Sequence, residues 1–165
     1  MESRDELTAW LRLLLTPGIG NDSARRLLAA FGLPQAVFGQ TPAALHDVVT
    51  LAQADALQRE PDGLAAQVET TWHWLQTRQD SGIEHRLWTP GESGYPAALL
   101  DTADPPLLLY AMGRADMLDR FNGIGRATPA IAMVGSRNPT PQGIANARSF
   151  AFSLAQCGLS VVSGL

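Results

Sequence analysis

The chain has 165 residues, 45% of them hydrophobic, and a formal net charge of -4. That is apolar material for one full core, or for a small domain plus part of a larger one. No uninterrupted apolar run nears the roughly 20 residues of a membrane-spanning helix, and the start lacks the basic-then-apolar layout of a secretory signal. A single cysteine, Cys157, excludes an internal disulfide and has no companion at metal-ligand spacing. The expectation is a cytoplasmic protein with no membrane partner, no metal, no cofactor, and Cys157 in a core. Every one of the 12 basic residues is arginine, so a polyanion would be held only by locally grouped guanidinium forks.

Leu7, Trp10, Leu11 and Leu14 fall at i, i+3, i+4 and i+7, which predicts a helix from about Asp5 to Leu15 that Thr16 and Pro17 stop. Ala24, Leu27, Leu28 and Phe31 repeat the spacing, with Asn21 or Asp22 expected as cap and Gly32 as terminator. Between them, Pro17-Gly18-Ile19-Gly20 suits a tight reversal in which Ile19 plugs the gap, a helix-hairpin-helix pattern. Thr41 is placed to cap a helix starting at Pro42, and Leu45, Val48, Val49 and Ala52 continue an apolar face. A longer helix is expected from about Leu64 to Gln79, with Leu64, Val68, Trp72 and Leu75 along one side. Residues 1–82 therefore read as a helical domain.

From Ile83 the character changes. His85 to Trp88 reads as a short strand, Thr89 to Pro96 as turn, and Leu107 to Met112 as a buried strand. Ala130 to Val134 reads as a second buried strand, followed by a glycine turn, a helix from about Thr140 to Cys157 and a further strand at Ser160 to Ser163. Ile144, Ala147, Ala151 and Leu154 supply that helix's apolar face. Strand, helix, strand in about 35 residues is one parallel unit of a doubly wound sheet. Residues 83–165 are thus expected to begin a Rossmann-like domain, and an α/β protein longer than this chain is implied.

The turn between the second buried strand and its helix has the chemistry of an anion site. Unpaired N–H groups and the positive dipole end of the helix face the crevice beyond the strand. Gly135 lets a ligand approach the backbone, Ser136 offers a hydroxyl, Arg137 a bidentate fork, and Thr140 caps the helix at Pro141. Ser163 and Gly164 end the next strand at the same sheet edge. The alternative is a plain strand-to-helix connection with Arg137 solvated. The full G-x-G-x-x-G fingerprint is missing, so no dinucleotide is expected.

Ser93-Gly94-Tyr95-Pro96, Asp104-Pro105-Pro106 running into Leu109-Tyr110 and Gly113, Val134-Gly135-Ser136-Arg137 with Thr140 and Gly143, and Val161-Val162-Ser163-Gly164-Leu165 occur in one order. In that order and spacing they resemble the DNA-processing protein A family (DprA, also called Smf), over nearly the whole chain. The resemblance implies a sterile-alpha-motif-like (SAM-like) helical module, then a Rossmann-like domain that binds single-stranded DNA. It implies backbone phosphate at Gly135, Ser136, Arg137, Asn138, Thr140, Ser163 and Gly164. It also implies protection of incoming strands during natural transformation, loading of the RecA recombinase on them, and a homodimer in the full-length protein. An Ala-x-Gly-Ile-Asp stretch and, in many members, a winged-helix domain follow in that family and are not in this sequence.

Other residues carry weaker readings. Arg25 and Arg26 beside the hairpin suit DNA backbone, or the hairpin is a packing motif or serves a protein partner. Trp10 and Trp72 fall on core stripes, whereas Trp74 lies off its stripe and is the better surface for stacking a base. Tyr95 is expected to pack its turn. His46, His73 and His85 share no metal or triad spacing and read as surface or structural. Catalytic apparatus is not evident, so the expectation is a non-enzyme. The rival readings are a nucleotide-phosphate-binding hydrolase of the Rossmann-like, lysine-decarboxylase-like group and a pure interaction module.

Overall fold

Residues 3–77, 82–121 and 129–164 are described by a computed structural model. Two compact units are present, Met1–Asn122 and Gly123–Leu165. The helix end expected over Gln79, Asp80 and Ser81, and Leu165 at the end of the last strand motif, lie outside the described residues.

In the first unit, α1 (Arg4–Leu15) starts where Ser3 accepts a hydrogen bond from the Glu6 N–H, with Asp5 and Glu6 in its first turn opposing the helix dipole. It buries a wider surface than one stripe. Trp10 and Leu13 enter one cluster with Ile19, Leu27, Val37 and Leu45, while Leu7 and Leu11 enter a second with Leu64, Val68 and Leu87. The helix is covered from two sides, so Leu13 is fully buried and Leu14 only half-buried. Burying one such leucine contributes roughly 1.5–3 kcal/mol.

The reversal into α2 (Asn21–Phe31) runs as expected: Gly18 has φ +80°, a conformation that disfavours side chains, and Ile19 is buried between the helices. The cap does not. Gly20 is the N-cap residue and makes no side-chain bond. Asn21 is already helical, and its amide donates instead to Asp104 Oδ2 at 2.9 Å, while Asp22 pairs with Arg26.

Short helices follow: α3 (Pro34–Phe38), α4 (Pro42–His46), capped by Thr41 as expected, and α5 (Leu51–Leu57). The expected face over Leu45 to Ala52 is broken because Thr50 forms a capping box with Gln53 and restarts the helix. Ala52 is consequently exposed, and Ala54 and Leu57 are buried in its place. Helix α6 (Leu64–Gln76) packs on α1 through Leu64 and Val68.

Strands β1 (Ile83–Trp88) and β2 (Leu109–Arg114) pair antiparallel, Ile83 opposite Arg114 and Trp88 opposite Leu109. Helix α6 lies on the face carrying His85, Leu87 and Tyr110, where Thr71 Oγ1 and the Tyr110 hydroxyl are 3.1 Å apart. Leu118 of α8 (Ala115–Phe121) packs on the other face with Trp88 and Tyr95. A continuous buried strand over Leu107 to Met112 is therefore corrected. Leu107 belongs to the helical core, and the strand that follows alternates, with Tyr110 and Met112 exposed, as an antiparallel strand can when one flank is open.

Between β1 and α7 (Ala97–Leu100), Gly94 lies flat against the Trp88 indole, where any Cβ would collide with the ring. Tyr95 is buried and its hydroxyl donates to the Pro106 carbonyl at 2.8 Å, tying this turn to the Asp-Pro-Pro segment. Burial pushes the Tyr95 phenol up, against a smaller opposing pull from Arg25.

The second unit is a β-α-β unit: β3 (Ala130–Ala132), α9 (Pro141–Gln156) and β4 (Ser160–Val162), with β3 and β4 parallel, Ala130 opposite Ser160 and Ala132 opposite Val162. Hydrogen bonds from Ser160 N to Pro129 O and from Met133 N to Val162 O extend the pairing at both ends. Burial is where expectation fails. Ala130 to Val134 is exposed throughout except half-buried Met133, and on α9 Ile144 and Ala147 are exposed while Ala151 and Leu154 are half-buried. One helix on two strands cannot enclose a core. Cys157, expected in a core, is exposed for the same reason.

Candidate anion-binding cleft

At the end of β3 the chain leaves the sheet through Met133-Val134-Gly135 and returns into α9 at Pro141. The loop is shaped by two short side-chain bonds. Ser136 Oγ accepts from the Asn138 N–H at 3.1 Å, and Thr140 Oγ1 accepts from the Gly143 N–H at 3.1 Å. Gly143 fits close beneath Thr140, where a Cβ would come within 3.3 Å of Oγ1. Gly135 differs: its φ is not positive, and a Cβ there would meet no atom within 4 Å. Neither backbone strain nor internal packing calls for glycine at that point.

A cleft of about 1030 Å³ opens above this loop. Gly135, Ser136, Arg137, Asn138 and Thr140 line it from the β3–α9 side and Ser163 and Gly164 from the end of β4. All seven residues singled out in the sequence thus surround one space. Arg148, one face further along α9, lines it too and was missed.

The polar resources of the cleft are specific. Pro141 has no N–H, Thr140 takes that of Gly143, and Ile144 bonds to the Thr140 carbonyl, so the Gln142 N–H is the unpaired amide of the first helical turn among the described residues. The N–H groups of Gly135, Ser136 and Arg137 also have no partner among the described residues. Arg137 and Arg148 are exposed and form no ion pair among them.

A charge pattern along the chain would have revealed Arg148. All 16 carboxylates lie within residues 1–119, and residues 123–165 carry three arginines and no Asp or Glu. The net charge of the chain conceals this division. A bound anion would therefore meet no carboxylate of its own unit.

The hairpin between α1 and α2 is differently provided. Arg25 donates to Asp104 Oδ1 at 2.9 Å and to the Pro105 carbonyl at 3.0 Å, and Arg26 is bonded to the Val48 carbonyl and paired with Asp22. The hydrogen bonds from Asn21 and then Arg25 hold the Asp104 carboxyl below its usual range. Trp74 is not a free stacking surface either. It is half-buried, stacked on His85 at 4.3 Å and edge-on to Tyr110. His85 is buried, and the described residues contain no group of three or more His, Cys, Asp or Glu that could hold a metal. No described helix is long and apolar enough to cross a membrane.

A loop of open amides and of guanidinium groups that form no ion pair among the described residues, placed beyond a parallel strand, makes this sheet edge the candidate anion site. Comparison with known proteins narrows the class of protein. Residues 86–165 match the profile of the family described as DNA recombination-mediator protein A. Protein Smf of Synechocystis sp. (strain ATCC 27184 / PCC 6803 / Kazusa) is 26% identical over 165 residues, which is 99% of this chain and 39% of that relative. By both measures the chain is similar to DprA/Smf proteins. The chain spans about two fifths of the length of the curated relative it matches.

Proposed function

We propose that this protein acts in DNA recombination by binding single-stranded DNA without sequence preference, its β3–α9 cleft holding backbone phosphate. The observation that carries the reading is the combination at Gly135–Arg137: open backbone amides beside Arg137 and Arg148, which form no ion pair among the described residues, in a unit without carboxylates. A glycine that packing does not demand fits a backbone meant to be approached by a ligand. In this reading Arg137 supplies the charged fork, Ser136 and Asn138 hold the loop in shape, Thr140 secures the helix start, and Ser163 and Gly164 form the opposite rim.

The wider reading follows the family. Residues 123–165 belong to a Rossmann-like DNA-binding domain and residues 1–82 to a SAM-like module, on which the strands of residues 83–121 pack. The full-length protein works as a homodimer that protects incoming strands in natural transformation and hands them to RecA. The helical hairpin serves packing or a partner rather than DNA, because its arginines are already engaged.

Fluorescence anisotropy with a labelled single-stranded oligonucleotide tests the site. Arg137→Ala should lower affinity about tenfold, as loss of a charge-assisted hydrogen bond implies. It should also flatten the slope of log affinity against log salt by about 0.7. Undiminished affinity sinks the assignment, and release of free base from nucleoside monophosphates would favour the hydrolase instead.

A further inference from the structure

A second cleft, of about 570 Å³, lies in the first unit between the end of α6, the outer side of β1 and the turn at Ser93 and Gly94. Trp72 and Leu75 line one side, Trp88 another, and Gln76 and Ser93 stand among the lining residues. His85 also lines it, and this histidine is the feature the packing does not explain. Its Nδ1 lies 2.6 Å from the Trp74 carbonyl, which can only accept, so Nδ1 carries the proton. In the neutral ring Nε2 is then a bare acceptor. It is buried and has no hydrogen-bond partner among the described residues, in a residue only 9% exposed. Leaving such an atom unpaired costs about 1–3 kcal/mol unless something supplies a donor.

We propose that this cleft is a nucleobase site. A planar heteroaromatic ring suits the indole walls, and all four DNA bases carry an N–H able to donate to His85 Nε2. The side-chain amide of Gln76, which makes no hydrogen bond among the described residues, offers both a donor and an acceptor to the same edge. Such a site tolerates any base. The volume lies within the roughly 300–1,000 Å³ of small-ligand pockets. Gly94 maintains the wall, since any side chain there would displace the Trp88 indole. The inference rests on the DNA reading only for the source of the base, which is either an unstacked nucleotide of a bound strand or a free nucleotide.

The test uses ¹⁵N-labelled protein, following the indole N–H signals during titration with deoxycytidine and, separately, deoxyribose 5-phosphate. Deoxycytidine should shift the Trp72 and Trp88 signals and leave that of buried Trp10 unmoved, and the sugar phosphate should shift none. Gln76→Ala, at an exposed position, should weaken deoxycytidine about two- to tenfold. His85→Phe keeps a ring against Trp74 and removes the acceptor, and should weaken it further. If His85→Phe fails to fold, Gln76→Ala decides alone. Absence of any indole shift, an equal shift with deoxyribose 5-phosphate, or unchanged binding in Gln76→Ala overturns the proposal. An oligo-deoxycytidine that moves the same two signals identifies the strand as the source, and one that leaves them unmoved identifies a free nucleotide. Deoxycytidine carries no phosphate, so these results are independent of the outcome with Arg137→Ala.

Discussion

Two turns in this molecule have the local sequence of a phosphate binder, and they differ in what surrounds their arginines. At the α1–α2 hairpin, Arg25 and Arg26 are already bonded to Asp104, the Pro105 and Val48 carbonyls and Asp22. At the β3–α9 turn, Arg137 and Arg148 meet no carboxylate of their own unit, because residues 123–165 contain none. A guanidinium already bonded to the protein must break those bonds before it holds a phosphate, and one facing solvent gives up only water. Spacing and residue type alone do not separate the two turns. The distribution of acids does.

The comparison breaks most visibly if both cleft arginines are removed. The double variant Arg137→Ala with Arg148→Ala should lose about 100-fold in affinity for a single-stranded oligonucleotide at moderate salt, at roughly tenfold per charge-assisted contact. Its circular dichroism should match that of the parent protein, since neither side chain is buried. The matching double change Arg25→Ala with Arg26→Ala should leave oligonucleotide affinity within about twofold, because neither guanidinium is available. Equal losses in the two variants would erase the distinction.

Much of this was legible in advance, and the misses have a common cause. Helices α1, α2 and α9, the parallel pairing of β3 with β4, and the convergence of Gly135 to Thr140 with Ser163 and Gly164 follow from periodicity and turn chemistry, which act over a few residues. Burial of Leu107 to Met112, of Ala130 to Val134 and of Cys157 was misjudged because it depends on what covers a segment. Apolar runs do not report that. The cap expected of Asn21 or Asp22 falls to Gly20, and Asn21 instead reaches Asp104, 83 positions away, a partner no local pattern reveals. His85 reads from the sequence as surface or structural and is buried, and the orphaned Nε2 depends on the tautomer that Trp74 imposes.

Thr140 and Tyr95 sharpen the contrast at the level of stability. Thr140→Ala removes the side-chain cap of α9 and should cost about 1 kcal/mol of helix stability, together with a few-fold loss of oligonucleotide affinity as the first turn frays. Amide hydrogen exchange at Gly143 reads the first effect and anisotropy the second. Tyr95→Phe leaves the Pro106 carbonyl without its donor and should cost about 0.5–1.5 kcal/mol in denaturant unfolding, with oligonucleotide affinity unchanged. A loss of binding in Tyr95→Phe would couple the turn to the DNA site and blur the division drawn above.

The smallest effect expected is electrostatic and belongs to the hairpin alone. Asp104 is held below its ordinary range by the hydrogen bonds from Asn21 and Arg25. A carboxyl whose folded value is depressed stabilises the fold fully above its unfolded value, about 3.9, and this contribution fades as pH falls through the lower folded value. The pair is exposed and screened by salt, so the contribution is modest. Asp104→Asn should therefore lower the melting temperature slightly at pH 7, and the gap to the parent protein should close as pH is taken below 4. A gap that persists at low pH would mean that Asp104 acts through hydrogen bonding that survives protonation. Arg25 would then be tethered mainly by the Pro105 carbonyl, at 3.0 Å, and the hairpin would keep its arginine engaged even when the carboxylate is neutral.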